Sequence, residues 1–254
     1  MFYLNFVFVF LLGLIIGSFL NCLIWRLHTG ESLGDRSYCP KCLKQINWYD
    51  NIPLVSFLIL KGKCRFCGQV ISWQYPLVEF FTGVLFLLSF YLYFTESPNY
   101  LLIARNWFIL SVLIVVFVYD LKWRLILDKV MIPSIIMVLV LNLFLDLFWW
   151  DIIFSAIIGG AFFLLQFLIS QGRWIGGGDI RLGFFMGASL ASVSGIVLAI
   201  FVSYLLGSVI GVGLIVLGKK KWGSEVPLGV FLAIGTVISL FWGPEIVQWY
   251  LSYL

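Results

Sequence analysis

Seven stretches of this chain run without a single charged side chain: Phe2–Trp25, Phe80–Thr95, Asn106–Tyr119, Val130–Leu145, Ile152–Gly172, Leu182–Gly218 and Val226–Pro244. Runs of this length and apolarity are what a bilayer core selects, since a spanning helix needs about 20 such residues. In lipid the backbone must satisfy its own hydrogen bonds, so the runs are read as helices. Composition closes the other routes. Hydrophobic residues make up 62% and charged residues 11%, against about 45–50% and about 25% in an ordinary soluble domain. A net charge of +4 gives no footprint for nucleic acid. Soluble globular, disordered and nucleic-acid-binding classes are therefore excluded, and the expected partner is the lipid bilayer.

The shorter runs reach membrane length by recruiting flanking residues or by tilting. Leu182–Gly218 is too long for one span, and Ser192, Ser194 and Gly195 offer a turn inside it. Split there, the chain is an all-α polytopic membrane protein of about eight transmembrane helices, the sixth of them short. Phe2–Trp25 has no basic leader and no small-residue cleavage site, so it reads as a retained span rather than a signal peptide.

Lys and Arg are retained on the cytoplasmic side of membrane proteins. With eight spans, one set of loops covers residues 26–75, 120–129, 173–181 and 219–225. It carries every one of the 16 cations, Lys220 and Lys221 included, except Arg105. That segregation predicts both termini outside and these loops in the cytoplasm. The expected organisation is a first helix over 1–25, a polar cytoplasmic insertion over 26–75, and a membrane domain over 76–254 containing helices two to eight.

The insertion holds Cys39-Pro-Lys-Cys42 and Cys64-Arg-Phe-Cys67, with 21 residues between the two pairs. Two such knuckles can give four thiolates to a tetrahedral zinc ion. A reducing cytoplasm disfavours disulfides, and a polar insertion this small gains from a metal staple. Four sulfur ligands leave no open position for water, which makes the site structural rather than catalytic. Four unligated thiols or a redox pair are the competing readings. Cys22 lies in an apolar helix and reads as packing, and His28 as a loop residue.

Two acids stand at the same predicted face. Asp120 ends the run closing on Val118-Tyr119, and Asp179 follows Gly176-Gly177-Gly178 at the opening of the sixth helix. The fourth and fifth helices return the chain to the same side, so the third and sixth can pack together. The glycines would permit close approach and positive φ. Two carboxylates held close share one proton and titrate as a unit. Such a pair does aspartic-protease chemistry: one takes a proton from water while the other polarises the scissile carbonyl. An interfacial Asp120 beside Lys122 and Arg124, with Asp179 as a helix cap, is the plainer reading and stands level with it. Asp128 is expected to hold the neighbouring loop. Glu79, after Tyr75-Pro76, either lines a polar cavity or caps the second helix. Asp146, Asp151, Glu96 and Glu245 fall on the far side and read as solvated termini.

In order along the chain these motifs resemble the bacterial type IV prepilin peptidases, membrane aspartic proteases of the GxGD type. The residues that carry the likeness are Gly17-Ser18-Phe19-Leu20-Asn21 with Arg26, the cysteine knuckles around Trp48-Tyr49-Asp50-Asn51-Ile52-Pro53-Leu54, and Ile71-Ser72 with Tyr75-Pro76-Leu77-Val78-Glu79. Asp120 with Ile126 and Asp128, Gly176-Gly177-Gly178-Asp179-Ile180-Arg181-Leu182, and Pro227-Leu228-Gly229 complete it. The resemblance implies a catalytic pair Asp120 and Asp179, and zinc on Cys39, Cys42, Cys64 and Cys67. It also implies dyad or substrate support from Gly176, Gly177, Gly178, Asp128, Arg181 and Glu79. Where the family usually has Pro and Lys, this chain has Leu127 and Arg181; neither departure touches the acids.

The implied location is the bacterial inner membrane. The implied substrates are prepilins or pseudopilins of type IV pili, competence pili or type II secretion, each with a short basic leader and a hydrophobic N-terminal helix, cut after a glycine at the cytoplasmic face. N-methylation of the new amine with S-adenosylmethionine is implied as well, although no glycine-rich strand–loop–helix signature for it is visible. The competing classes are a peptidase without methyltransferase activity, an ion-coupled transporter, which would need acids near the bilayer middle, and a non-catalytic zinc-bearing scaffold.

Overall fold

A computed structural model describes residues 2–94, 98–219 and 226–253, so Glu96, Lys220 and Lys221 lie outside the described residues. Among them are the long or medium helices α1 (Phe2–Thr29), α3 (Gln74–Tyr93), α4 (Tyr100–Trp123), α5 (Asp128–Leu143), α6 (Trp149–Ser170), α7 (Gly177–Leu190), α8 (Val193–Val216) and α9 (Leu228–Leu251). The short α2 (Val55–Ile59) and a 3₁₀ turn at Trp48–Asn51 belong to the insertion.

The eight expected helices are α1 and α3 to α9, but six of them are long and apolar enough to cross a membrane by themselves. The other two, α5 and α7, have 16 and 14 residues. At about 1.5 Å per residue they fall short of a hydrocarbon core of about 30 Å. A charge-free run overstates helix length wherever its ends are turn and cap, as at Leu190–Ser192. There Ala191 is left-handed (φ 47°) and the Ser192 side chain accepts the Gly195 amide at 3.3 Å, ending α7 and starting α8. The expected split of Leu182–Gly218 is thus present. At the other end, α1 continues to Thr29 before Gly30 (φ 76°) stops it, so His28 is on the helix and not in a loop.

The chain divides into two compact units, 1–115 and 116–254, with the boundary inside α4. In the first unit α1 and α3 lie side by side. Gly13 and Gly17, four residues apart, let the backbones meet: a Cβ on either would sit 2.7 Å from the Cα of Gly83 or Glu79 respectively. Small residues at this spacing are how helices associate in lipid, where apolar side chains gain nothing by leaving the solvent. Phe86 of α3 stacks on Trp107 of α4 at 5.0 Å between ring centroids, and the Trp107 indole donates to the Phe86 carbonyl at 3.1 Å. The buried Arg26 guanidinium donates to the carbonyls of Leu33 and Asp35, fixing the chain as it leaves α1.

In the second unit α7 is central, contacting α5, α6, α8 and α9. Its inner face is glycine-rich: a Cβ on Gly183 would overlap Gly159 of α6, and one on Gly187 would overlap Ser155. Polar side chains fasten this core across helices. Asn142 donates to the Ala188 carbonyl at 2.9 Å, Ser155 to that of Gly187 at 2.8 Å and Ser239 to that of Gly195 at 2.7 Å.

Candidate active site and metal centre

Asp120 lies in the last turn of α4, where the helix closes on an Arg124 (φ 53°) whose amide donates to the Asp120 carbonyl at 2.9 Å. Its carboxylate is buried, and Oδ2 accepts the amide of Val230, the third residue of α9, at 3.0 Å. Gly229 makes this approach possible, because a Cβ there would stand 2.9 Å from Oδ2. Asp179, also buried, is the third residue of α7. Its Oδ2 accepts the Gly176 amide at 2.9 Å, and its own amide donates to the Gly176 carbonyl at 3.1 Å. The helix-capping role that the sequence allowed is therefore present at Asp179.

Ile126 joins the two sides. Its Cδ1 faces Gly229 beside Asp120, and its Cβ would lie 2.8 Å from a Cβ on Gly178. The elements that carry the two acids thus both reach Ile126 in the 124–127 turn. The third and sixth helices, expected to pack together, approach at that turn, while the extended neighbours of α7 among the described residues are α5, α6, α8 and α9. The glycine run also works differently from expectation. Gly176 has φ −85° and none of the three has positive φ; only Gly178 is in close contact, and a Cβ on Gly177 would meet nothing.

Arg181 pairs with Asp128, the first residue of α5, across the same end of the unit. Both side chains are partly exposed, which keeps the pair's worth below about 1 kcal/mol and makes it a positioning contact. Glu79 belongs to the N-terminal unit. It is buried in α3, where Oε2 accepts the Leu54 amide at 2.9 Å, so it fastens the insertion to the helix. The amides of Gly229 and Val230 went unassigned from sequence. Their only signal was the Pro227-Leu228-Gly229 motif, because a backbone donor is not written in residue type.

The four insertion cysteines come together, their Sγ atoms all within 4.8 Å of one another. Cys39 and Cys67 are 3.8 Å apart, and a tetrahedron with Zn–S of about 2.3 Å has edges of about 3.8 Å. The two knuckles share one design: Cys39 and Cys64 donate their amides to Lys44 and Gln69 carbonyls at 3.0 and 2.8 Å, with Leu43 (φ 58°) and Gly68 (φ 70°) left-handed at matching places. Burial pushes the Cys39 thiol up, but the amides of Cys42 and Lys41 and the neighbouring thiols outweigh it and leave it at about 7. Cys67 receives the Gln69 amide, which favours its thiolate, yet burial and the other three thiols push it up to about 11. Such a set fits a thiophilic divalent ion, and no disulfide competes for it.

With this geometry in hand, comparison with known proteins is decisive. The Bacterial Peptidase A24 N-terminal domain matches residues 11–93 and the Type IV leader peptidase family matches residues 107–212. A protein of Aeromonas salmonicida (strain A449) named prepilin leader peptidase/N-methyltransferase is 33% identical, over 98% of this chain and 95% of its own.

The chain belongs to the type IV leader peptidase family.

Proteins of the same name from Pseudomonas aeruginosa PAO1 and Bacillus subtilis 168 are 31% and 30% identical, over 96% of this chain in each case and 92% and 97% of their own. No solved structure matches the chain. The first match ends with α3 and the second begins inside α4, so the cysteine cluster and Glu79 lie in the first and Asp120 and Asp179 in the second.

Proposed function

We propose that this protein is a prepilin leader peptidase in which Asp120 and Asp179 form an aspartic dyad, and that it N-methylates the product. One observation carries the reading: two buried carboxylates, Asp120 and Asp179, each held by a backbone amide at the end of an apolar helix, on elements that both pack against Ile126. In such a pair one carboxylate takes the proton of a water as it attacks and later gives it to the leaving amine, while the protonated partner polarises the scissile carbonyl. The Val230 and Gly176 amides hold the two groups in place, so little reorganisation is needed when charge moves. The names carried by the relatives support the same substrate class: prepilins, whose basic leader meets a hydrophobic helix at the membrane face.

The cation distribution supports an orientation with the dyad and the zinc insertion cytoplasmic and both termini outside. The thiol tetrad supports a structural zinc ion on Cys39, Cys42, Cys64 and Cys67. S-adenosylmethionine would supply the methyl group to the new amine. The described residues hold no strand–loop–helix cradle. Gln74, which donates to Asn21 at 3.1 Å, has its Oε1 buried without a hydrogen-bond partner, a single acceptor that can take a hydroxyl or amino hydrogen.

The test is purified protein mixed with a prepilin, with and without S-adenosylmethionine, followed by product masses. Loss of the leader, and a further gain of one methyl only with the cofactor, is the expected result. Asp120→Asn and Asp179→Asn should each leave the prepilin at full length while the protein stays folded; normal cleavage by either variant sinks the dyad.

A further inference from the structure

The insertion presents an apolar face that neither the dyad nor the metal explains. Val55, Leu58 and Ile59 of α2 stand at i, i+3 and i+4, one side of a helix, and are 48%, 73% and 69% exposed. The opposite side is anchored: Ser56 is buried and donates to the Tyr49 carbonyl at 2.7 Å.

The position of α2 is fixed relative to α3. Leu54, immediately before α2, donates to Glu79 at 2.9 Å. Glu79 is five residues inside the span α3, about 7.5 Å along its axis at the standard rise. Phe57 packs on Trp73 with ring centroids 5.0 Å apart, and Trp73 directly precedes α3 and is itself exposed. The start of α2 is therefore tied below the end of a membrane helix, with its apolar side turned outward.

Its surroundings suit the lipid–water boundary. Trp48 is 80% exposed in the turn that α2 holds, and Trp and Tyr concentrate at that boundary because one end of the ring is apolar and the other wet. Exposed Lys61 and Lys63 follow α2 directly. Over residues 26–75 there are seven Lys/Arg against three Asp/Glu, and one of those acids, Asp50, is bound by Arg65 at 2.6 Å.

We propose that α2, with Trp48 and Trp73, lies in the headgroup–acyl boundary of the leaflet beside the insertion, and that Lys61 and Lys63 meet anionic phospholipid headgroups there. The zinc module is then docked on the membrane surface. This rests on α1 and α3 spanning the bilayer and is independent of the peptidase reading. A prepilin or a second copy of the chain could cover the same apolar face, but neither accounts for the tie to Glu79 and the flanking tryptophans.

The test places a photo-crosslinking amino acid at Leu58, and separately at Ile59, in the full-length protein. The protein is reconstituted in phosphatidylethanolamine vesicles with or without phosphatidylglycerol, with retained zinc as the check of folding. Phospholipid adducts at both sites are expected, rising several-fold with phosphatidylglycerol, and Lys61→Gln with Lys63→Gln should remove that rise. Failure to form lipid adducts, or crosslinks to a second chain or to added prepilin in their place, overturns the proposal. Lipid adducts indifferent to phosphatidylglycerol overturn its anionic part. Because no cleavage is measured, failure here leaves the dyad untouched, and failure of the dyad leaves this result standing.

Discussion

Asp120 depends on a residue that has no side chain. The Val230 amide reaches its carboxylate only because Gly229 lets α9 start against it, and the added methyl of Gly229→Ala would sit 2.9 Å from Oδ2. The carboxylate must then swing away, and a displacement near 1 Å costs about a hundredfold in rate. Gly229→Ala is expected to lower kcat for prepilin cleavage by about that factor with KM little changed, read from the masses of timed digests; an unaltered kcat would remove Gly229 from the site. Gly178→Ala, whose Cβ would stand 2.8 Å from that of Ile126, should impair cleavage more than Gly177→Ala, which meets nothing. Sequence reading finds Asp120 and Asp179 because an acid at the end of a charge-free run is conspicuous. It misassigns the glycines because Gly-Gly-Gly invites an argument from positive φ, whereas the constraint on Gly178 is contact with a distant turn. It misses Val230 because any non-proline residue supplies the same amide.

Between helices the same logic of close approach decides stability. The α6–α7 contact runs through Gly159, Gly183 and Gly187, and a Cβ on Gly183 or Gly187 would overlap the carbonyl of a residue in α6. Overpacking of this kind typically costs about 1–3 kcal/mol. Gly183→Ala and Gly187→Ala should each lower the midpoint of thermal unfolding in detergent, while the same change at Gly211, whose Cβ would meet nothing, should not lower it. Equal midpoints for all three would mean that α6 and α7 are not packed this closely. The existence and order of the eight helices α1 and α3 to α9 were legible from charge-free runs. The shortness of α7 was legible too, but that of α5 was not, because hydropathy reports where charge is absent and not where a helix turns. The left-handed Ala191 that ends α7 carries no Gly or Pro to announce it.

At the scale of the whole chain two chemistries are kept in different stretches of sequence. The described hydrogen-bond partners of both buried acids lie between 116 and 254, while the four thiols and the helices flanking them lie between 1 and 115. The insertion has no sheet and little apolar core: its two knuckles each rest on a single bridge, Tyr38 with Gln45 and Lys63 with Val70. A bound zinc ion, worth about 10–16 kcal/mol in small structural sites, would therefore be its main source of order. Metal analysis should find about one zinc per chain, and Cys39→Ser or Cys64→Ser should lower that content, since each removes a thiolate ligand. Stripping the metal with a strong chelator should expose the 30–73 segment to protease while α6 to α9 remain protected, as gel bands and fragment masses would record. Protection of that segment in the metal-free protein would show that the thiol cluster is not what orders it. General loss of protection would show that the two stretches fold as one. The first outcome would make the insertion a module stabilised from outside the membrane core, which is what its composition requires, because three acids, seven cations and a handful of exposed aromatics cannot by themselves bury enough surface to hold a fold.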